Sequence, residues 1–205
     1  MDTKKYTLKK VLWWIALSVL FLFLFLLIVG LVHTNSVDKT KKAVDTIHST
    51  KLTLDDVTGK NLPPDPGVEA DITVQGIDAN KNNIRDDVEL AIFKEYPNSA
   101  KTRAVLLQYA LALQMEMTQD LVNTETVTAV AEKGSRAYLC IGEVFSRDNF
   151  DKYKKEVSGL RDFVELKQLN TDIREKTKKD FYKFLTSGSI PSDNFCDIDN
   201  KILKN

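Results

Sequence analysis

The stretch GIDANKNNIRDDVE, residues 76 to 89, carries oxygen-bearing side chains at a regular interval. With Asp78 counted as position 1, they fall at positions 1, 3, 5, 9 and 12: Asp78, Asn80, Asn82, Asp86 and Glu89. Ile84 stands at position 7, where a backbone carbonyl supplies a further donor. A chain that offers alternate residues to one point wraps around that point. Six to eight oxygens on a flexible loop suit a hard, large cation such as calcium. The last donor serves best as a carboxylate on a rigid helix, since both of its oxygens must then reach the ion. Glu89 falls in the first turn of a helix predicted from DDVELAIFKEY.

Asp78, Asn80, Asn82, Asp86 and Glu89 match, residue by residue, a loop of the form D-x-D-x-D-G-x-x-D-x-x-D/E. The stretch therefore resembles the calcium loops of thrombospondin type 3 repeats and, more distantly, those of dockerins and EF-hands. The resemblance covers about 14 of 205 residues and implies a calcium ion, not a fold. Position 6 holds Asn83 in place of glycine, and asparagine is the best non-glycine residue for a left-handed conformation. Position 8 holds Arg85, where an EF-hand pairs through an aliphatic residue, and no second complete loop occurs. With three carboxylates and two nearby cations, Lys81 and Arg85, the expected affinity is weak, roughly 10⁻⁴ to 10⁻³ M. The competing reading is a polar turn rich in asparagine and aspartate that leads into an acid-capped helix.

The elements that must position this loop are helical. Val88, Ala91, Ile92 and Tyr96 form one stripe, and Pro97-Asn98-Ser99 ends it. The following segment, SAKTRAVLLQYALALQMEMTQDLV, is apolar almost all round, as a central buried helix is. Thr124 is the expected cap of a third helix, in which Ala131, Gly134 and Ala137 make a small-residue patch. A fourth helix runs near residues 150 to 169, with a weak point at Gly159. A fifth starts at the Asn170-Thr171 cap, carries Ile173, Phe181, Phe184 and Leu185, and closes at Ser187-Gly188. The fold class is all-α: an irregular bundle of about four to five helices over residues 71–205. Residues 33–70 read as a connector, with brief alternation at Leu52/Leu54 and Ile72/Val74 suggesting short strands, and the Pro-rich GKNLPPDPG marks the boundary.

Residues 11–32, VLWWIALSVLFLFLFLLIVGLV, contain no charge. As a helix they reach roughly 33 Å, enough to cross a hydrocarbon core of about 30 Å. The run exceeds that of a cleavable signal peptide and lacks a small-residue cleavage site, so an uncleaved signal-anchor in the lipid bilayer is expected. Lys4, Lys5, Lys9 and Lys10 precede it, which places residues 1–10 in the cytoplasm and the rest outside. Two cysteines in an oxidising compartment imply one bridge, Cys140 to Cys196, closing about 57 residues. The absence of an N-x-S/T sequon favours a bacterial envelope, such as the periplasm.

Twenty-nine basic and 29 acidic residues leave no net charge, which gives nucleic acid no reason to bind. His33 and His48 lie outside the helical domain, and no H-E-x-x-H, G-x-S-x-G or phosphate-loop motif occurs. Cys140 has no histidine nearby in sequence. Residues 174 to 183 read as the wet face of an amphipathic helix, and Cys196-Asp197-Ile198-Asp199 as a solvated tail. The expectation is a membrane-anchored binding or scaffold module, meeting a protein partner through its helical domain. The alternative is a hydrolase-like envelope enzyme in which the calcium loop is structural support. A pocket with paired carboxylates would favour the enzyme, and an apolar or small-residue surface around Gly134 the binding module.

Overall fold

The computed structural model describes residues 3–186 and 194–203. Among them the regular elements are all helices, so the chain is all-α. In order they are α1 (Thr3–Ser49), α2 (Leu54–Thr58), a 3-10 turn (Gly67–Asp71), α3 (Asp86–Glu95), α4 (Ala100–Thr118), α5 (Thr124–Ile141), a second 3-10 turn (Gly142–Val144), α6 (Phe150–Gln168) and α7 (Asp172–Lys183).

The chain divides into two compact units, Met1–Ala43 and Val44–Asn205. The first carries, near the N-terminus, a helix long and apolar enough to cross a membrane. Residues 12 to 31 are exposed throughout, including Phe21, Phe23 and Leu26. A helix of this length, composition and position is that of a membrane anchor or of a signal sequence.

The second unit is organised by α4. Its side chains from Arg103 to Met117 are all buried, as a rod apolar on every side requires. Helices α2, α3, α5, α6 and α7 pack around it. The few polar groups on α4 reach backbone that would otherwise be unpaired. Gln108 Nε2 donates to the Phe195 carbonyl (2.8 Å), and its Oε1 accepts from the Asp197 amide (2.9 Å). Gln114 Nε2 donates to the Gln75 carbonyl (2.8 Å), and Gln168 donates to Gln114 Oε1.

Several local expectations are corrected. Residues 44–70 are not a connector: Ile47, Leu52, Val57 and Ala70 are buried, the first three within the main core. The strands suggested at Leu52/Leu54 and Ile72/Val74 do not form. Thr53 caps α2 through a reciprocal box with Asp56, which turns the chain into a helix at Leu54. The carbonyls of Thr73 and Val74 are taken by Arg174, so that segment has no need of a strand partner. Asn123, not Thr124, caps α5, its side chain accepting from the Thr126 amide. Helix α6 passes Gly159 without a break. Helix α7 ends at Lys183, with Ile173 and Phe184 exposed; the expected closure at Ser187-Gly188 lies outside the described residues.

The C-terminal segment is docked. Cys196 is bonded to Cys140 of α5, with Cα atoms 5.0 Å apart. The carboxylate of Asp197 is almost fully buried and accepts from the Leu52 amide (3.3 Å), which corrects the reading of a solvated tail.

Candidate metal centre

The loop from Asp78 to Glu89 is shaped by its own side chains. Both oxygens of Asp78 accept backbone N–H groups from across the turn, Oδ1 from Asn82 (3.1 Å) and Oδ2 from Asn83 (2.9 Å). The Ile84 amide donates to Asn82 Oδ1 (2.9 Å). Lys81 and Asn83 both adopt left-handed backbone, φ 60° and 65°. These bonds bend the chain twice within six residues, so that Asn80 and Asn82 turn toward the start of α3.

There they meet Glu89. Asn80 Nδ2 and Asn82 Nδ2 each lie 3.0 Å from Glu89 Oε2. Asn80 also donates to the Asn61 carbonyl (2.9 Å), which ties the loop to the turn after α2. Glu89 is fully buried, and its Oε1 finds no hydrogen-bond partner among the described residues. Burial pushes this carboxyl up to about 7, assisted by the charges of Asp56 and Asp86 and opposed by the two asparagine amides.

The six sequence-predicted residues therefore divide. Asn80, Asn82 and Glu89 are brought together. Asp78 braces the turn from within. Asp86 closes the loop at its neck, both carboxylate oxygens accepting from the Ala79 amide (3.1 and 3.0 Å) while its own amide donates to the Ile77 carbonyl (2.9 Å). Burial raises the Asp86 carboxyl too, against the lowering effect of the Ala79 amide. Ile84 buries its side chain in the core and fixes the loop to the domain. Among the described residues no group of three or more His, Cys, Asp or Glu side chains gathers as a metal site. The convergence here is of one carboxylate with two amide nitrogens; the amide oxygens accept from the loop backbone, Asn80 Oδ1 from the Asn82 amide (3.3 Å) and Asn82 Oδ1 from the Ile84 amide (2.9 Å).

Behind the loop stands a scaffold that the spacing of donors did not reveal. Arg85, fully buried, grips Asp87 with two bonds (2.7 and 2.6 Å) and donates to the carbonyls of Gln168 and Lys167 at the end of α6 (both 3.0 Å). Its stem passes so close to Gly76 that a Cβ there would stand 2.5 Å from Arg85 Cδ. Only glycine fits, and its φ of +65° demands glycine as well. Arg174 is also fully buried; it donates to the Ala70, Thr73 (2.8 Å) and Val74 (3.2 Å) carbonyls and pairs with Asp71 (2.6 Å). This corrects its reading as part of a wet face. The two guanidiniums pin residues 70–76 and the root of the loop to α6 and α7.

Compared with protein-family models, with curated proteins and with solved structures, the chain shows no match. The functional reading rests on the geometry of the chain itself.

Proposed function

We propose that this chain is a membrane-anchored, extracytoplasmic helical binding module whose loop at Asp78–Glu89 is held by one calcium ion. The observation that carries the calcium reading is Glu89: a buried carboxylate with one oxygen unpartnered among the described residues, faced by Asn80 and Asn82. A buried carboxylate is costly unless a cation or full hydrogen bonding compensates it. Glu89, Asn80 and Asn82 would hold the ion, with Asp78, Asp86 and the Ile84 carbonyl completing its oxygen shell. The ion's contribution is charge: it neutralises Glu89 and fastens the loop to α3. With few carboxylates and a loop already braced by backbone bonds, binding in the range of roughly 10⁻⁴ to 10⁻³ M is expected.

Placement outside the cytoplasm is supported by the four lysines before the apolar span and by the Cys140–Cys196 bond, which persists in oxidising compartments. The deciding experiment for the loop is thermal melting of the full-length protein in lipid nanodiscs with and without calcium. Stabilisation that saturates in the millimolar range supports the proposal; melting unchanged by several millimolar calcium sinks it. Thiol and protease accessibility in sealed vesicles tests the orientation separately.

A further inference from the structure

A second site lies among α4, α5 and α7, built from residues that the calcium loop does not use. It is a cavity of about 420 Å³, lined by Tyr109, Glu116, Gly134, Tyr138, Tyr182 and Leu185 among others. That size falls within the range of small-molecule pockets, about 300 to 1,000 Å³. Its walls are mainly apolar and aromatic, with one anionic group set into them.

That group is Glu116, in the last turn of the most apolar helix of the domain. Its side chain is buried. Oε1 accepts from Tyr182 Oη (3.0 Å), while Oε2 has no hydrogen-bond partner among the described residues. No cation lies within ion-pair distance of it among those residues. The neighbouring charges belong instead to Glu165, which takes Tyr109 Oη (2.5 Å), Lys178 (3.4 Å) and Arg161 (3.8 Å). Gly134 leaves the carboxylate its place: a Cβ there would stand 2.8 Å from Glu116 Oε1. Gly134 thus makes room for a charged group at the cavity wall.

An apolar chamber with one unmatched anionic oxygen is complementary to a cationic donor carried on an apolar body. Tyrosine rings suit the same ligand, because their faces attract ammonium groups. We propose that this cavity binds a small organic amine, its protonated nitrogen on Glu116 and its apolar or aromatic body among Tyr109, Tyr138 and Tyr182. The ion pair replaces the missing partner of Oε2. Consistent with an unpaired site, burial pushes the Glu116 carboxyl up to about 7; Glu165 adds to that, while Lys178 and the Tyr182 hydroxyl oppose it. The proposal goes beyond the calcium-held module and stands on different residues, so either can fail without the other.

The test uses full-length protein in lipid nanodiscs, with empty nanodiscs as the blank for partitioning. The probes are 2-phenylethylamine and its neutral counterpart 2-phenylethanol, followed by equilibrium dialysis at about pH 8, where Glu116 is ionised. The expected result is saturable amine binding, about tenfold tighter than the alcohol, since both can donate to the carboxylate but only the amine adds an ion pair. Glu116→Gln abolishes the preference, so that amine and alcohol bind alike. Gly134→Leu, which fills the chamber, weakens both probes; circular dichroism confirms that each variant is folded. Should Glu116→Gln not fold, the amine–alcohol difference in the unchanged protein and the loss in Gly134→Leu decide the matter. Equal binding of the two probes, no saturable amine binding up to about 10 mM, or an amine preference that survives Glu116→Gln each overturns the proposal.

Discussion

Asn82 and Glu89, seven residues apart, meet at 3.0 Å between Nδ2 and Oε2, so the far end of the loop is fastened to the first turn of α3. The bond joins an amide to a carboxylate that is otherwise short of partners. Calcium should therefore act on melting through Glu89. At ten times Kd a bound ion adds about 1.4 kcal/mol. Glu89→Gln preserves the shape and removes the buried charge. The variant should melt at or above the unchanged protein without calcium, and should lose the calcium increment. A scan of both proteins at zero and several millimolar calcium checks this; a Glu89→Gln variant that keeps the increment refutes the assignment. Magnesium should stabilise less, since it keeps its waters and demands a stricter geometry.

Asn83 holds φ at 65° within this loop. Asn83→Gly should keep the fold and gain up to about 1 kcal/mol, because glycine enters that region freely. Asn83→Val should lose on the order of 1–3 kcal/mol, since a β-branched residue is strained there. The pair is read by denaturant midpoints in the same buffer. Equal midpoints would show that the left-handed turn is not part of the folded loop.

Helix periodicity and the donor spacing were legible because each is local. The stripes of α3 to α6 follow from 3.6-residue repeats, and Asp78 to Glu89 from a count of oxygen donors. What was not legible depends on distant partners. Residues 44–70 look like a connector because Leu52 and Val57 are isolated apolar residues, and only the distant helical core gives them partners. Arg85 reads as a cation beside the loop and Arg174 as part of a wet face, but the carbonyls they satisfy lie up to 104 residues away. Glu116 did carry a signal: a carboxylate amid LALQMEM on a helix apolar all round has to be paired, placed at a cavity, or neutral.

Arg85→Met should be among the most damaging single changes in the domain. It keeps much of the stem, yet strands the Gln168 and Lys167 carbonyls and leaves Asp87 without its bidentate partner. Stranding two carbonyls and losing a charge-assisted pair whose carboxylate keeps some contact with solvent costs on the order of 2–4 kcal/mol. Gly76→Ala should approach that effect by a different route, a Cβ driven into the Arg85 stem. Denaturation midpoints measure both, and a loss below about 1 kcal/mol for Arg85→Met would show that the network is not holding the loop root.

Reduction of the Cys140–Cys196 bond should free the C-terminal segment before it unfolds the domain. Gln108 and Leu52 still hold Phe195 and Asp197 by backbone contacts, so Cys196→Ser weakens the docking without abolishing it. The bond closes about 57 residues, and the chain-entropy account credits that with roughly 4 kcal/mol. Limited proteolysis should cut the variant near its C-terminus first. A digestion pattern identical to the unchanged protein would mean that the segment is held by those hydrogen bonds alone.

The pH dependence of stability carries the sign of a buried acid whose folded pKa is raised. Glu116 moves from the ordinary carboxylate value near 4.5 to about 7 in the fold. Below 4.5 it is protonated in both states, and its burial costs no charge. Between 4.5 and 7 the unfolded chain releases the proton while the folded chain keeps it, so stability falls as pH rises. Above 7 the loss is complete. Glu89 shifts in the same direction and adds to the slope of the calcium-free protein. Exposed carboxylates contribute equally to a variant and its parent, so the difference isolates Glu116. Glu116→Gln should match the parent near pH 4.5 and exceed it by on the order of 1–3 kcal/mol at pH 8. Calcium-free melts at four pH values between 4.5 and 8 measure that difference; a gap that stays constant or narrows with rising pH would mean that Glu116 is not the buried, unpaired acid described here.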